Sequence, residues 1–416
     1  MSGLFRSAYA PTHCFSPVNE DKSARYHRLK RQATIVSLLW SLVLLAGLVW
    51  SGLSLALRSL AESVAAPVGP SVWSTGATVL VYVGLLTVIN EIGSAPIAFY
   101  GGFILERRYG LSNERLSSWM RDQAKSFAIG LLLACGGTLL LYALIGWSRT
   151  WWWLIAGAAF AALIVGLTQL TPILLLPLFY RLKPLEKESL RTRLLALAER
   201  GGARVVGAYE WGLSDKTKKA NAALTGLGAT RRILVSDTML AEYSDDEIEV
   251  VMAHELAHHV KGDIWKGMAF ESVLILAGFY LAARVLDVLA GPSGLRDVAD
   301  IAGLPLLLLA AGAVSLVMVP VAHALSRAIE RSADRFALDV TGNPDAFVSA
   351  MRRLGVQNLA EERPSKIVQW LFYSHPPLHE RILAAQAFTT RSRGSFPPRA
   401  VGAAPNESHA RISDGP

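Results

Sequence analysis

The stretch Ser244-Asp-Asp-Glu-Ile-Glu-Val-Val-Met-Ala-His254-Glu255-Leu-Ala-His258-His259-Val-Lys-Gly262-Asp263 decides how the rest of the chain is read. Ser244 followed three residues later by Glu247 is a capping box, and the acids of the first turn complement the helix dipole. Gly262 is the expected stop. The spacing therefore predicts a helix with His254, Glu255 and His258 near its middle. Val250, Val251, Met252, Ala253, Leu256 and Ala257 surround them with apolar side chains, so the helix is expected to be buried, where His and Glu need partners.

Residues four apart share a helix face, so His254 and His258 can reach one metal ion. Two imidazoles suit zinc, and a catalytic zinc keeps a third protein ligand and an open water position. Glu255, about a quarter-turn round, can touch that water and take its proton. This is the HExxH arrangement of zinc peptidases. His259 reads as a helix-surface histidine outside the motif.

The remaining composition points to a membrane. Of the 416 residues, 52% are hydrophobic, and the mean hydropathy of +0.35 is too high for an ordinary soluble protein. The formal charge of +8 sits in particular loops, and with no aromatic-interleaved basic groove no nucleic-acid partner is expected. The two cysteines, Cys14 and Cys135, build neither a disulfide framework nor a metal site.

Six apolar segments are long enough to span a bilayer, at about 33–57, 76–104, 127–147, 151–171, 267–289 and 301–322. Asn90, Glu91 and Pro96 in the second are costly in lipid and are expected to face protein or a wet cavity. Trp151, Trp152 and Trp153 read as an interfacial cluster. The organisation follows: a basic N-terminal segment, 1–32; a four-span region, 33–179; a soluble insert, 180–266; two further spans, 267–322; a catalytic C-terminal part, 323–388; and a disordered tail, 389–416. The insert predicts a helix at 184–200, a strand at 203–211 and a hairpin within 219–236. Lys and Arg concentrate in the N-terminus, the 105–126 loop and the insert, which puts both termini and the HExxH helix on the cytoplasmic side. The Ala/Leu/Arg-rich composition and the absence of a cleavable signal pattern suggest a bacterial inner membrane.

A third ligand must come from elsewhere. Glu330 and Asp334 lie four apart in Ser326-Arg-Ala-Ile-Glu330-Arg-Ser-Ala-Asp334-Arg-Phe-Ala337. One carboxylate could complete the metal shell and the other accept the spare N–H of a ligating His. The spacing equally suits a salt-bridged amphipathic surface helix.

HExxH followed by a distant Glu-x-x-x-Asp resembles the integral-membrane zinc metalloproteases of the CAAX prenyl protease type I family. The likeness extends to Glu106-Arg-Arg-Tyr-Gly110-Leu-Ser112, Leu176-Pro177 through Pro184, Asn221-Ala222, and Ser374-His375-Pro376-Pro377-Leu-His-Glu-Arg381. It implies a mainly α polytopic helical bundle of six to seven spans around a chamber, with a zincin-like domain containing a small β-hairpin or sheet. It implies zinc held by His254, His258 and Glu330, with Glu255 as general base. Asp334 would orient a ligating His, His375 would stabilise the oxyanion, and Arg381 would support that region. Asn221 and Ala222 would pair with an extended peptide substrate. The expected activity is peptide hydrolysis on membrane-associated or prenylated substrates.

Three rivals carry less. A quality-control membrane metalloprotease shares most motifs but has four spans. A site-2-type protease wants Asn-Pro-Asp-Gly, whereas Ala346 follows Asn343-Pro344-Asp345 here. A purely structural zinc would need four protein ligands.

Overall fold

The computed structural model describes residues 17–68, 72–226 and 230–394. Helices α1 (Pro17–Trp50), α2 (Leu53–Ala65) and α3 (Val72–Phe99) come first. A π turn, Tyr100–Ile104, carries α3 into α4 (Leu105–Arg108). Next are α5 (Leu116–Trp147), α6 (Trp152–Leu174) and the short α7 (Leu176–Phe179). Six helices among the described residues are long and apolar enough to cross a membrane. Leu39, Val43, Leu132, Val273 and Val317 on them remain exposed, as lipid-facing side chains would be.

The insert supplies β1 (Arg181–Pro184), α8 (Glu188–Arg200), β2 (Gly207–Gly212), β3 (Ala222–Thr225) and β4 (Arg232–Ser236). The strand order is β1-β2-β4-β3. β1 pairs antiparallel with β2, β2 runs parallel to β4, and β3 returns antiparallel to β4. The expected hairpin is therefore present, with β3 at one edge of the sheet. β1 at the other edge was not foreseen; its Pro184 is tolerated because an edge strand needs no donor there.

After α9 (Asp237–Glu242) comes α10 (Asp245–Val260), opened by the Ser244–Glu247 capping box. Gly262 at φ 67 turns the chain into α11 (Asp263–Leu289). This left-handed position is one that glycine adopts without strain. α12 (Leu304–Thr341), α13 (Pro344–Gln357), α14 (Lys366–Phe372) and α15 (Leu378–Gly394) complete the chain. One core joins α8, the sheet, α10, the end of α12, α13 and α15 through Leu194, Val235, Met252, Ala337, Phe347 and Ala385.

Several expected boundaries fall inside elements. The basic residues from Lys22 to Arg31 continue without a break into the first span, and α12 runs unbroken from the sixth span through Glu330 and Asp334. A change of composition is not a helix stop; that takes Gly, Pro or a cap. The tail expected from 389 begins within α15, which continues to Gly394, and residues 395–416 lie outside the described residues.

Candidate metal centre

α10 is buried along most of its length, and acids in its N-terminal half anchor it. Glu247 accepts from Ser349 and Arg353, and Glu249 from Arg193 and Arg200. The helix packs on α12, and both carry fully buried alanines, Ala253 and Ala257 on α10 and Ala333 and Ala337 on α12. Small side chains let helix axes approach closely, and here the approach brings Glu330 to the two histidines.

His254 Nε2 stands 3.4 Å from His258 Nε2 and 3.1 Å from Glu330 Oε2. His258 Nε2 lies 3.6 Å from Glu330 Oε1. The three donor atoms fall within 4.8 Å of one another, a set that could hold one metal ion. Glu330 Oε2 is buried without a hydrogen bond of ordinary geometry, although His375 Nδ1 is 2.8 Å away. A buried carboxylate oxygen facing imidazole nitrogens in this way fits a cation between them.

Each histidine has a carboxylate behind it. Asp334 Oδ1 is 2.8 Å from His254 Nδ1, and Asp263 Oδ2 is 3.2 Å from His258 Nδ1. Both hold the proton on Nδ1 and turn Nε2 toward the shared point. Arg381 donates twice to Asp334, at 2.9 and 2.6 Å. It therefore braces the layer behind His254. His375 reaches in from an exposed position, its side chain 60% accessible. Asn221 stands exposed before β3, and Ala222 is buried at the first position of that strand.

Two residues were missed or misread. Asp263 carried a usable signal: it is a carboxylate immediately beyond the helix-ending glycine, five residues after His258. His259 is not a surface residue; its Nε2 donates to the Leu224 carbonyl of β3 at 2.6 Å. Neighbouring sequence gives no hint of that partner, 35 residues away.

Burial would lower the His254 pKa, but the hydrogen bonds of Asp334 and Glu330 outweigh it and lift it to about 9. Burial pushes the Glu255 carboxyl up from its ordinary range, while His254 and His258 pull the other way. Glu255, His258, His259, Leu224 and Glu330 all line one open cavity of ≈ 460 Å³.

The profile of peptidase family M48 matches residues 184–389, and that of the CAAX prenyl protease N-terminal region, five membrane helices, matches residues 12–181. The metalloprotease YhfN of Bacillus subtilis, whose recorded name calls it uncharacterized, is 32% identical over 309 residues, covering 73% of this chain and 72% of its own. The chain belongs to peptidase family M48. CAAX prenyl protease 1 of Saccharomyces cerevisiae is 28% identical over 333 residues, covering 75% of this chain and 72% of its own. The crystal structure of S. mikatae Ste24p superposes with a TM-score of 0.78 at 23% identity, over 90% of this chain and 92% of that one. That likeness establishes the fold: a helical membrane bundle with a small mixed sheet. As an M48 member the chain is an integral membrane metalloprotease, and the family implies a metal, of which zinc is the expected kind.

Proposed function

We propose that this metalloprotease is a zinc endopeptidase acting on membrane-associated peptides, with C-terminally prenylated, CAAX-like sequences as its substrate class. The observation that carries the chemistry is the convergence of His254, His258 and Glu330 within 4.8 Å, with Glu255 lining the same cavity. These three residues would hold the ion. When bound, zinc supplies a Lewis acid and brings the pKa of a water to about 7.

Glu255 takes the proton of the attacking water and returns it to the leaving amine. Burial pushes its carboxyl up from the ordinary range, the direction that makes it a better proton acceptor. Asp334 and Asp263 keep the imidazoles aimed, and Arg381 keeps Asp334 in place. His375, reaching in from the exposed side, donates to the developing oxyanion. The peptide lies extended along β3, starting at Asn221-Ala222.

The substrate class is supported by relatives named CAAX prenyl protease 1. The Lys/Arg distribution supports a cytoplasmic active site, and the Ala/Leu/Arg-rich composition supports a bacterial inner membrane. The test is Glu255→Gln in detergent-purified full-length protein. Zinc content by elemental analysis is expected to stay at one per chain, while cleavage of a quenched peptide falls by about 10²- to 10⁴-fold. A fully active variant sinks the scheme. Paired peptides with and without a farnesyl group test the substrate: equal cleavage of unmodified membrane peptides would instead indicate quality control.

A further inference from the structure

The backbone of β3 is half committed. Ser236 N–H donates to the Asn221 carbonyl at 2.9 Å, so 221 and 236 form a hydrogen-bonded pair at the end of the β3–β4 ladder. Antiparallel ladders alternate such pairs with non-bonded ones. Positions 221, 223 and 225 therefore turn their backbone groups toward β4. Positions 222 and 224 turn theirs to the free edge. That edge offers four groups: the N–H and carbonyl of Ala222, and the N–H and carbonyl of Leu224.

The last of these is already taken. His259 Nε2 lies 2.6 Å from the Leu224 carbonyl, and a carbonyl can only accept, so the imidazole donates. Its Nδ1 is buried with no hydrogen-bond partner, which leaves the ring one polar contact and one orientation. His259 follows His258 directly in α10, and His258, His259 and Leu224 line the same cavity.

We infer that His259 ends the peptide-docking edge at Leu224 and so fixes the register of a bound peptide against the metal centre. This rests on the reading of β3 as the docking strand. A peptide pairs with Ala222 N–H, Ala222 carbonyl and Leu224 N–H, and meets the imidazole where the next rung would form. It cannot slide two residues along β3 and keep its full set of bonds. His259 is thus a positioning residue that sets which peptide bond lies over the metal, and it acts on extended peptides of any side-chain sequence.

The experiment is a backbone N-methyl scan of one quenched peptide that the zinc-loaded, full-length protein cleaves. Apart from the scissile amide, wild-type protein should be sensitive at one N–H, the partner of the Ala222 carbonyl. In His259→Phe, which frees the Leu224 carbonyl, a second N–H two residues away should become sensitive, with kcat/KM falling about three- to tenfold on methylation, the size of one net hydrogen bond. His259→Gln presents an amide N–H at about the reach of Nε2 and should restore the single-site pattern. An identical pattern in wild type and His259→Phe overturns the inference. So does a second sensitive N–H in wild type, a result that needs no variant to fold. If no N–H is sensitive in wild type, β3 is not the docking strand and the inference falls with it. The dependence of cleavage on Glu255 is decided separately.

Discussion

His254 and His258 share one task but are held differently. Asp334 behind His254 is itself gripped by two bonds from Arg381, whereas Asp263 behind His258 shares its carboxylate with Lys266 at 2.7 Å. Carboxylate partners of this kind fix the imidazole tautomer and raise its basicity, and losing one typically weakens metal binding about 10- to 100-fold. Asp263→Asn is expected to weaken zinc affinity within that range while the chain stays folded, as read by competition with a chelating dye. Unchanged affinity would mean that His258 is oriented by its helix alone. Asp334→Asn should cost at least as much, because it also leaves the Arg381 guanidinium without its carboxylate.

α10 can carry its histidines accurately because it is tied at both ends. Ser244 and Glu247 close its first turn, and Glu247 is bonded onward to Ser349 and Arg353 of α13. Burial raises the Glu247 pKa, yet the bonds from Ser349, Ser244 and Arg353 prevail and hold it below its ordinary value. A carboxylate with a lowered folded-state pKa stabilises the fold above its unfolded pKa, about 4.3. That contribution disappears as pH falls through the lower folded value. Glu247→Gln should therefore reduce stability at pH 7 by about 0.5–2 kcal/mol, the size of a lost cap. The gap to wild type should narrow on acidification below about pH 4.3. Thermal unfolding in detergent at several pH values would check both; a gap independent of pH would remove the electrostatic part of the account.

Across the whole molecule, the end of the bundle far from the candidate metal centre is closed by ion pairs. Arg58 of α2 meets Asp300, which is almost fully buried, and Arg296 grips Glu62. Ser54 donates to the Ala302 carbonyl. From Leu304 to Glu330 along α12 is about 39 Å at 1.5 Å per residue, so one helix separates this cap from the candidate metal centre by that length. Arg58→Ala leaves the buried Asp300 carboxylate to the backbone N–H groups of Arg296 and Ala302 and should destabilise the bundle by about 1–3 kcal/mol. Zinc bound per folded chain should not change. Loss of zinc together with stability would mean that the two ends are coupled through α12.

Much of this was legible from local pattern. The capping box, the apolar surround of His254-Glu255-Leu-Ala-His258, the glycine stop and the six apolar segments each follow from physics acting within a few residues, and periodicity reports it directly. The pairing of Glu330 with the histidines was visible as spacing and became specific only through likeness to a family. What tertiary structure alone decided are contacts between distant segments: which histidine Asp334 stands behind, Arg381 gripping Asp334, β1 joining the sheet, and His259 reaching Leu224. None leaves a period or a spacing in the chain. Each depends on which helix face meets which strand edge once α10 is packed between α12 and the sheet, and burial then favours a partner for the polar groups brought together there.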